Sequence, residues 1–409
     1  MPNIAGSRVA VAVQVYVLWA VVGAAALLVW GAVLAGLRAP VASDPLTLRY
    51  FSGPFLSRAE QYQRVSLTVY LVRQAMNLLL LTAAALAAWR YFAPGQRLSI
   101  PAAAGYLFLF LLLLQLLNLP LAYYRGFVIE HRFELSSYSA AGWLLDYAKS
   151  GLISLLLTTA ALAGLYFLML RFTGRWWLPA GLLLTFFMFL GVYIFPVVID
   201  PLFYRFTPLE DQELNSAIVD MAAEAGIAVD QVLVADASRR TTKANAYFTG
   251  LGRTKRIVVF DTLLHRFSRE EVLSVVAHEM GHWRHGHIFK GIILGAAGGF
   301  AALGLLFLLL EWMGEPPGFR AAPLAFLFLT VLALGFAPVE NYISREFERQ
   351  ADREALALAG DAETFISMQQ RLAVANLAVA RPHPLIKFAL YTHPPVMERI
   401  ACALEKQGG

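Results

Sequence analysis

The sequence predicts an all-α polytopic membrane protein with about seven transmembrane helices and one small α+β domain. Of its 409 residues, 58% are hydrophobic and 15% are charged, and the mean hydropathy is +0.59. A soluble domain carries about 25% charged residues. Seven apolar stretches reach the roughly 20 residues that a spanning helix needs. A long polar stretch, residues 199–287, lies between the fifth and sixth of them.

The charge and the cysteine content of the chain argue against nucleic-acid binding and against cysteine-based sites. The net charge of +5 and the pI near 9.3 suit contact with anionic lipid. Nucleic-acid binding is not indicated, because the sequence lacks a basic stripe with interleaved aromatics. Cys402 is the single cysteine of the chain. It excludes an internal disulfide and a cysteine-based zinc site.

The predicted transmembrane segments divide the chain into four parts. The first apolar stretch is too long for the apolar core of a signal peptide, so we expect a transmembrane helix, with an uncleaved signal anchor as the alternative. The seven stretches are residues 9–37, 65–89, 101–123, 151–171, 177–198, 288–312 and 321–339. The four parts are helices 1–5 (1–198), a soluble segment (199–287), helices 6–7 (288–340) and a C-terminal helical segment (341–409).

Arginine and lysine in the short loops predict the orientation of this multi-pass protein. They number seven in two loops on one side of the membrane and six in four segments on the other. The higher density per loop places the N-terminus outside and both 199–287 and the C-terminal tail in the cytoplasm.

Two predicted spans carry polar residues on one face. Arg73, Gln74 and Asn77 share a face of the second span, and Gln115 and Asn118 share a face of the third. Unpaired polar groups are costly in hydrocarbon, so these faces should meet protein or water. Interhelical hydrogen bonds and a wet cavity inside the bundle are both open interpretations.

The soluble segment mixes helix and strand patterns. A helical pattern ends at Gly226, a typical C-cap residue. A glycine-containing loop between two strand patterns predicts a β-hairpin. The expected elements are a helix at Glu213–Ala225 and strands at Gln231–Ala235, Ala244–Thr249 and Arg256–Phe260.

The pattern with the clearest chemistry is His278-Glu279-Met280-Gly281-His282. Ser268 and Glu271 form a capping box that predicts a helix through these residues. Histidines at i and i+4 lie about 40° apart around the helix axis, so both imidazoles reach one cation. Glu279 is offset by about 100° and reaches a water on that cation without binding it. The alternative, a chance match on a polar helix, fits poorly with the apolar run that precedes it.

A catalytic zinc needs a third protein ligand. His285 and His287 lie too far along the helix, since His285 is about 10 Å from His278 at 1.5 Å per residue. They suit flanking roles. Glu348 is the better candidate, because two membrane crossings return it to the face that carries His278. Asp352, one turn later, could accept a ring N–H from a ligand histidine. The open alternatives are a solvated charged helix and the competing acids Glu340, Glu346 and Glu354.

Together these residues resemble the type I CAAX prenyl protease family of membrane-embedded zinc metalloendopeptidases. The resemblance covers about Leu119 to Arg399, and the first 118 residues match in hydropathy alone. Its motifs are Leu119-Pro120, Phe127–Phe133, Pro201–Phe203, Phe206–Leu209, Asn245–Gly250, Arg256–Leu264, the HEMGHW helix, Ser344–Asp352, Thr392–Pro395 and Arg399-Ile400.

The resemblance implies a fold and a set of roles. The fold would be seven transmembrane helices around an internal chamber, capped by a zinc-metalloprotease domain. One Zn²⁺ per chain would be held by His278, His282 and Glu348. Asp352 would be a catalytic proton donor or would orient a ligand, and His393 would donate to the oxyanion. The expected substrate-binding residues are Asn245 on an edge strand, Ala246, Tyr247 and Arg399.

The function that follows is hydrolysis of peptide bonds, with Glu279 as general base for a zinc-activated water. The resemblance implies cleavage of a C-terminal prenylated CAAX peptide before its last three residues. The alternatives are turnover of membrane proteins as in related quality-control zinc proteases, an intramembrane-cleaving protease, and a transporter or receptor with a structural zinc. We expect peptide or protein substrates and membrane lipid as partners.

Overall fold

The described part of the chain contains six helices long enough to span a membrane, several shorter helices and a small mixed sheet. The computed structural model describes residues 44–227, 232–250, 254–359 and 361–408, together with residues 31, 33 and 36. Apart from those three residues, the predicted first transmembrane segment (9–37) lies outside the described residues.

The helices are α1 Pro45–Tyr50, α2 Gly53–Tyr91, α3 Ile100–Tyr123, α4 Ala140–Arg171, α5 Trp177–Ile194, α6 Gln212–Glu224, α7 Asp261–Arg266, α8 Arg269–Arg284, α9 His287–Trp312, α10 Ala321–Leu358, α11 Ala362–Asn376, α12 Pro384–Leu390 and α13 Val396–Gly408. The strands are β1 Phe206–Pro208, β2 Val232–Ala235, β3 Ala246–Thr249 and β4 Arg256–Phe260.

Within the described residues, six helices are long and apolar enough to span a membrane: α2, α3, α4, α5, α9 and α10. They contain the second to seventh spans that the sequence predicts. Two of them continue beyond their regular α-helical part. A π-helical turn, Tyr124–Ile129, extends α3 to Arg132, and a second one, Phe195–Ile199, extends α5 to Leu202.

Serine side chains begin three of the spans. Ser52, Ser99 and Ser139 precede α2, α3 and α4, and each hydroxyl accepts a backbone N–H from the first turn of its helix. This bond satisfies one of the donors that a helix N-terminus leaves unpaired. The start of each span is therefore set locally, before the helices pack together.

The two predicted polar faces meet inside the helix bundle. Arg73 donates from Nε to Asn118 Oδ1 (3.2 Å), and Asn118 Nδ2 donates to Asn77 Oδ1 (2.7 Å). These residues, with Gln74 and Gln115, line a cavity of about 430 Å³ between α2, α3, α4 and α10. The interhelical hydrogen bonds of the first interpretation are present, and the same side chains also face a common cavity.

The sheet has the strand order β1-β2-β4-β3. The predicted hairpin is present: β3 pairs with β4 antiparallel, while β2 lies parallel to β4 on its other side. Gly250 ends β3 with a φ of +88°, and a Cβ there would lie 2.0 Å from the carbonyl oxygen of Thr254, so the position requires glycine. No sequence pattern predicted β1, which is three residues long and includes a proline.

Helix α8 lies at the centre of the domain that carries the sheet, against α6, α10, α11 and β3. Its N-terminus carries the predicted capping box between Ser268 and Glu271. Val272, Val276 and Met280 are buried on its inner face. A Cβ on Gly281 would lie 2.9 Å from the Cα of Ala351 on α10. A glycine between the two histidines thus lets the two helices approach closely.

Candidate metal centre

Helix α8 brings the two predicted histidines together. His278 is buried, and His282 is partly exposed one turn later. Their Nε2 atoms lie 3.2 Å apart. Because each ring uses its Nδ1 atom for a contact behind the site, both Nε2 atoms face a common point.

Helix α10 adds a carboxylate at that point. Glu348 is 5% exposed, and its Oε2 and Oε1 atoms lie 3.3 Å from the Nε2 atoms of His278 and His282, respectively. The competing acids lie elsewhere. Glu346 pairs with Arg349 and Arg353, Glu354 pairs with His285 and Arg284, and Glu340 is exposed.

The three residues fit a tetrahedral zinc ion. Ligand bonds of about 2.0–2.1 Å at tetrahedral angles place ligand atoms about 3.3–3.4 Å apart. The two Nε2 atoms lie 3.2 Å apart, and each has one of the two Glu348 oxygens at 3.3 Å. The Oε2 atom of Glu348 is buried and has no hydrogen-bond partner among the described residues. Two imidazole nitrogens and a buried carboxylate that converge on one point are a donor set that suits a zinc cation.

Asp352 and Arg399 support His278 from behind. The Nδ1 atom of His278 donates to Asp352 Oδ1 at 3.0 Å. Arg399 on α13 donates to both oxygens of Asp352, from Nε at 2.9 Å and from Nη2. Before a cation is bound, burial opposes protonation of His278, but its hydrogen bonds to Asp352 and Glu348 outweigh burial and raise its pKa to about 9.

His287 and Gln350 support His282 in the same way. The Nδ1 atoms of His282 and His287 lie 3.0 Å apart, and His287 Nε2 lies 3.1 Å from Gln350 Oε1. An Nδ1–H on His282 donating to His287 leaves its Nε2 lone pair free for a metal. Spacing excluded His287 as a ligand, but its contact with His282 depends on a sharp turn at Gly286 (φ +63°) that the sequence analysis did not consider.

Glu279 lies between the metal centre and the sheet. Its Oε2 atom accepts the backbone N–H of Phe248 on β3 at 3.3 Å. Burial raises the pKa of Glu279, although the nearby His278 and His282 act in the opposite direction. A raised pKa suits a carboxylate that accepts and returns a proton near neutral pH.

His393 reaches the same centre from the loop between α12 and α13. Its Nε2 atom lies 3.3 Å from Glu348 Oε1, and its Nδ1 atom lies 2.8 Å from the hydroxyl of Thr392. A Thr392 hydroxyl that donates to Nδ1 leaves an N–H at Nε2 that faces the site. Arg345 fixes this loop, because it donates to the carbonyls of Lys387 (3.1 Å) and Tyr391 (2.5 Å). No motif in the sequence pointed to Arg345.

A cavity of about 290 Å³ adjoins His278, one of the three candidate ligands. Asn245, Ala246, Glu279, His393 and Arg399 are among the residues that line it. The structure therefore brings together most of the predicted catalytic and substrate-binding residues.

Tyr247 does not join the others at the cavity. Successive side chains of a strand point to opposite faces, and the hydroxyl of Tyr247 donates to Asp200 Oδ2 at 3.1 Å on the far side of the sheet. Arg399 does line the cavity, but its guanidinium is bound to Asp352. Asp352 itself lies behind His278.

The fold and the site define a membrane-embedded zinc metalloendopeptidase. Residues 208–407 match the model of peptidase family M48, and residues 56–205 match the model described as "CAAX prenyl protease N-terminal, five membrane helices". The chain belongs to peptidase family M48, in its CAAX prenyl protease branch. The resemblance inferred from the sequence motifs is thus confirmed.

Individual relatives agree with this assignment. An uncharacterized metalloprotease of Bacillus subtilis, YhfN, is 34% identical over 313 residues, which cover 74% of this chain and 73% of that protein. CAAX prenyl protease 1 of Saccharomyces cerevisiae is 34% identical over 315 residues, which cover 70% and 68%. The crystal structure of S. mikatae Ste24p shares the fold, with a TM-score of 0.76 at 24% identity over 98% of this chain and 100% of that one.

Proposed function

We propose that this protein cleaves peptide bonds with one Zn²⁺ held by His278, His282 and Glu348, and that its substrates are prenylated CAAX proteins. The observation that carries the metal assignment is the convergence of His278, His282 and Glu348. The two Nε2 atoms lie 3.2 Å apart and each has one Glu348 oxygen at 3.3 Å, beside a cavity that His278 and Glu279 line. The relatives named CAAX prenyl protease 1 support the substrate class.

The reaction depends on proton transfer by Glu279. Bound zinc supplies a water with a pKa near 7 and polarises the scissile carbonyl. Glu279 accepts the proton of the attacking water and then delivers it to the leaving amine. The backbone N–H of Phe248 holds one carboxylate oxygen of Glu279, which leaves the other free for this transfer.

Two side chains stabilise and orient the reacting groups. The Nε2–H of His393 donates to the oxygen of the scissile carbonyl as negative charge develops on it. Asp352 fixes the tautomer and orientation of His278. Both Asp352 oxygens already accept hydrogen bonds from Arg399, which favours the orienting role over that of a proton donor.

Substrate adds to the sheet at β3, the edge strand nearest the metal. Phe260 N–H donates to the Asn245 carbonyl at 3.0 Å, and hydrogen-bonded pairs alternate along an antiparallel ladder. The backbone groups of Ala246 and Phe248 therefore face the open edge. The Ala246 groups are free to pair with an extended peptide beside Glu279.

A structural zinc is a weaker alternative, because such sites are normally closed by four protein ligands. Within the described residues, the group of side chains that could bind a metal comprises His278, His282 and Glu348. Zinc content and inhibition by a chelator test this point. One zinc per chain and chelator-sensitive cleavage are expected, whereas zinc that persists without any peptidase activity would indicate a structural role.

The substrate class is tested with purified protein and two peptides. One is a farnesylated CAAX peptide, and the other is an unmodified peptide from a membrane protein. Mass spectrometry of the products should show release of the last three residues from the farnesylated peptide. Equal or faster cleavage of the unmodified peptide would favour membrane-protein turnover instead.

The active site is proposed to face the cytoplasm, on the basis of the arginine and lysine density in the loops. A reporter fused to the C-terminus tests this orientation. Green fluorescent protein fused there should fluoresce, and alkaline phosphatase should remain inactive. The opposite pattern would reverse the proposed topology.

A further inference from the structure

Five residues before β3, the chain starts to contact the end of a membrane helix. Glu130, at the end of the extended α3, lies within the family motif Phe127–Phe133 and has a side chain that is 12% exposed. Its Oε1 atom accepts hydrogen bonds from the Tyr62 hydroxyl (2.6 Å) and from Arg125. Its Oε2 atom pairs with Lys243 Nζ at 2.8 Å, and Lys243 also donates to the Tyr62 hydroxyl at 3.0 Å.

Lys243 lies three residues before Ala246, where the edge strand β3 begins. Its carbonyl accepts the Thr262 hydroxyl at 2.7 Å. The next residue, Ala244, exchanges two hydrogen bonds with the side-chain amide of Asn376 at the end of α11 (3.1 and 3.2 Å). The approach to β3 is thus held from the membrane side by Lys243 and from the protease domain by Asn376.

The residues just before Lys243 also bond to the loop that follows the extended α3. The hydroxyls of Thr241 and Thr242 donate to the carbonyls of Leu135 (3.0 Å) and Glu134 (2.9 Å). These contacts would hold the segment near α3 even without the ion pair. The ion pair therefore adjusts the position of Lys243 and is not needed to keep the segment attached.

We propose that Glu130 is a positioning residue that sets the register and angle of β3 through Lys243, and so determines how the edge strand receives substrate. This inference rests on the proposed addition of substrate to β3. One carboxylate here balances two cations, Arg125 and Lys243. Without the negative charge the two cations repel each other in a half-buried site, and Lys243 moves away from the Tyr62 hydroxyl. Displacement then passes to Ala246, whose backbone groups face the open edge, while the Phe248 N–H stays bonded to Glu279.

The test compares Glu130→Gln with the wild-type protein in steady-state peptide cleavage. Strand addition binds ground state and transition state alike, so its loss raises KM and leaves kcat unchanged. We expect KM to rise about tenfold with kcat within about twofold. Lys243→Gln, a change at a half-exposed position, should give the same result. In the double variant the rise should again be about tenfold, because coupled residues do not act additively.

The KM of a modified substrate distinguishes a positioning role of Glu130 from a merely structural one. A peptide with N-methylated backbone amides at the positions that face β3 cannot form the strand hydrogen bonds. Glu130→Gln should therefore leave the KM of this peptide unchanged. An additional rise in KM with the methylated peptide would contradict the inference.

Glu315→Gln is the matched control. Glu315 pairs with Arg320 between α9 and α10, with a side chain that is 1% exposed, and this pair is far in the chain from β3. The control should keep the wild-type KM. An unchanged KM in Glu130→Gln, an equal rise in Glu315→Gln, or multiplying effects in the double variant would overturn the positioning role. Failure of the wild-type protein to cleave any peptide would instead refute the proposed function.

Discussion

Replacing Asp352 by asparagine removes a negative charge from behind His278 and keeps the shape of the side chain. Asp352 accepts hydrogen bonds from His278 Nδ1 and from two nitrogens of Arg399. The asparagine amide group would offer one acceptor and one donor to partners that are all donors. One of these partners would lose its bond, and Arg399 would keep an unbalanced charge in a buried position.

The expected magnitude has two parts. Loss of a residue that orients a metal-binding histidine lowers metal affinity about 10–100-fold. The side chains of Asp352 and Arg399 are 5% and 13% exposed, and breaking a buried ion pair costs about 3–5 kcal/mol of unfolding free energy. We expect the lower end, about 3 kcal/mol, because the asparagine oxygen still accepts one hydrogen bond.

Zinc competition with a chromophoric chelator gives the affinity, and chemical denaturation of the detergent-solubilised protein gives the stability. Glu346→Gln is the control on the same helix. Its side chain is 42% exposed and pairs with Arg349 at 2.5 Å, and such exposed pairs contribute at most about 1 kcal/mol. Wild-type zinc affinity in Asp352→Asn, or an equal loss in Glu346→Gln, would refute the orienting role.

Three further predictions concern residues of helix α8. The pKa of His278 is raised to about 9 before a cation binds, so zinc must displace a proton from His278 below that pH. Zinc affinity should therefore rise about tenfold per pH unit and level off near pH 9. Zinc affinity that is flat between pH 7 and 9 would contradict this. Glu279→Gln should retain one zinc by elemental analysis and lose about 10²–10⁴-fold in kcat, and an active, zinc-loaded variant would exclude Glu279 as the base. Gly281→Ala places a methyl group 2.9 Å from the Cα of Ala351. The change should lower the free energy of unfolding by about 1–3 kcal/mol and weaken zinc binding, because α10 moves away from α8. An unchanged melting temperature would show that the two helices separate freely.

The sequence predicted helix α8 and the membrane spans, because short-range patterns determine these elements. The capping box at Ser268 and the spacing of His278 and His282 identified α8 and its metal-binding face. Six of the predicted spans correspond to helices within the described residues. These features depend on neighbours within one or two turns, and the sequence displays those neighbours directly.

Features that depend on packing were harder to obtain. Residue spacing left Glu348 in competition with Glu346 and Glu354, because it does not show which side of α10 meets α8. A usable signal was present: Ala351 and Ala355 are small residues on the buried side of α10, which Glu348 and Asp352 share. Tyr247 was grouped with Asn245 and Ala246 by motif, although strand alternation directs its side chain to the opposite face.

The continuity of α10 joins the chemistry to the surrounding lipid. At 1.5 Å per residue its 38 residues extend about 57 Å, while the hydrocarbon layer of a bilayer is about 30 Å thick. The helix that spans the lipid therefore also carries Glu348, in the part that extends beyond Pro338 and out of the hydrocarbon layer. A change in bilayer thickness tilts a spanning helix, and the tilt moves the third ligand relative to the imidazoles on α8. Lipid chain length in reconstituted vesicles thus becomes a variable of zinc retention and turnover.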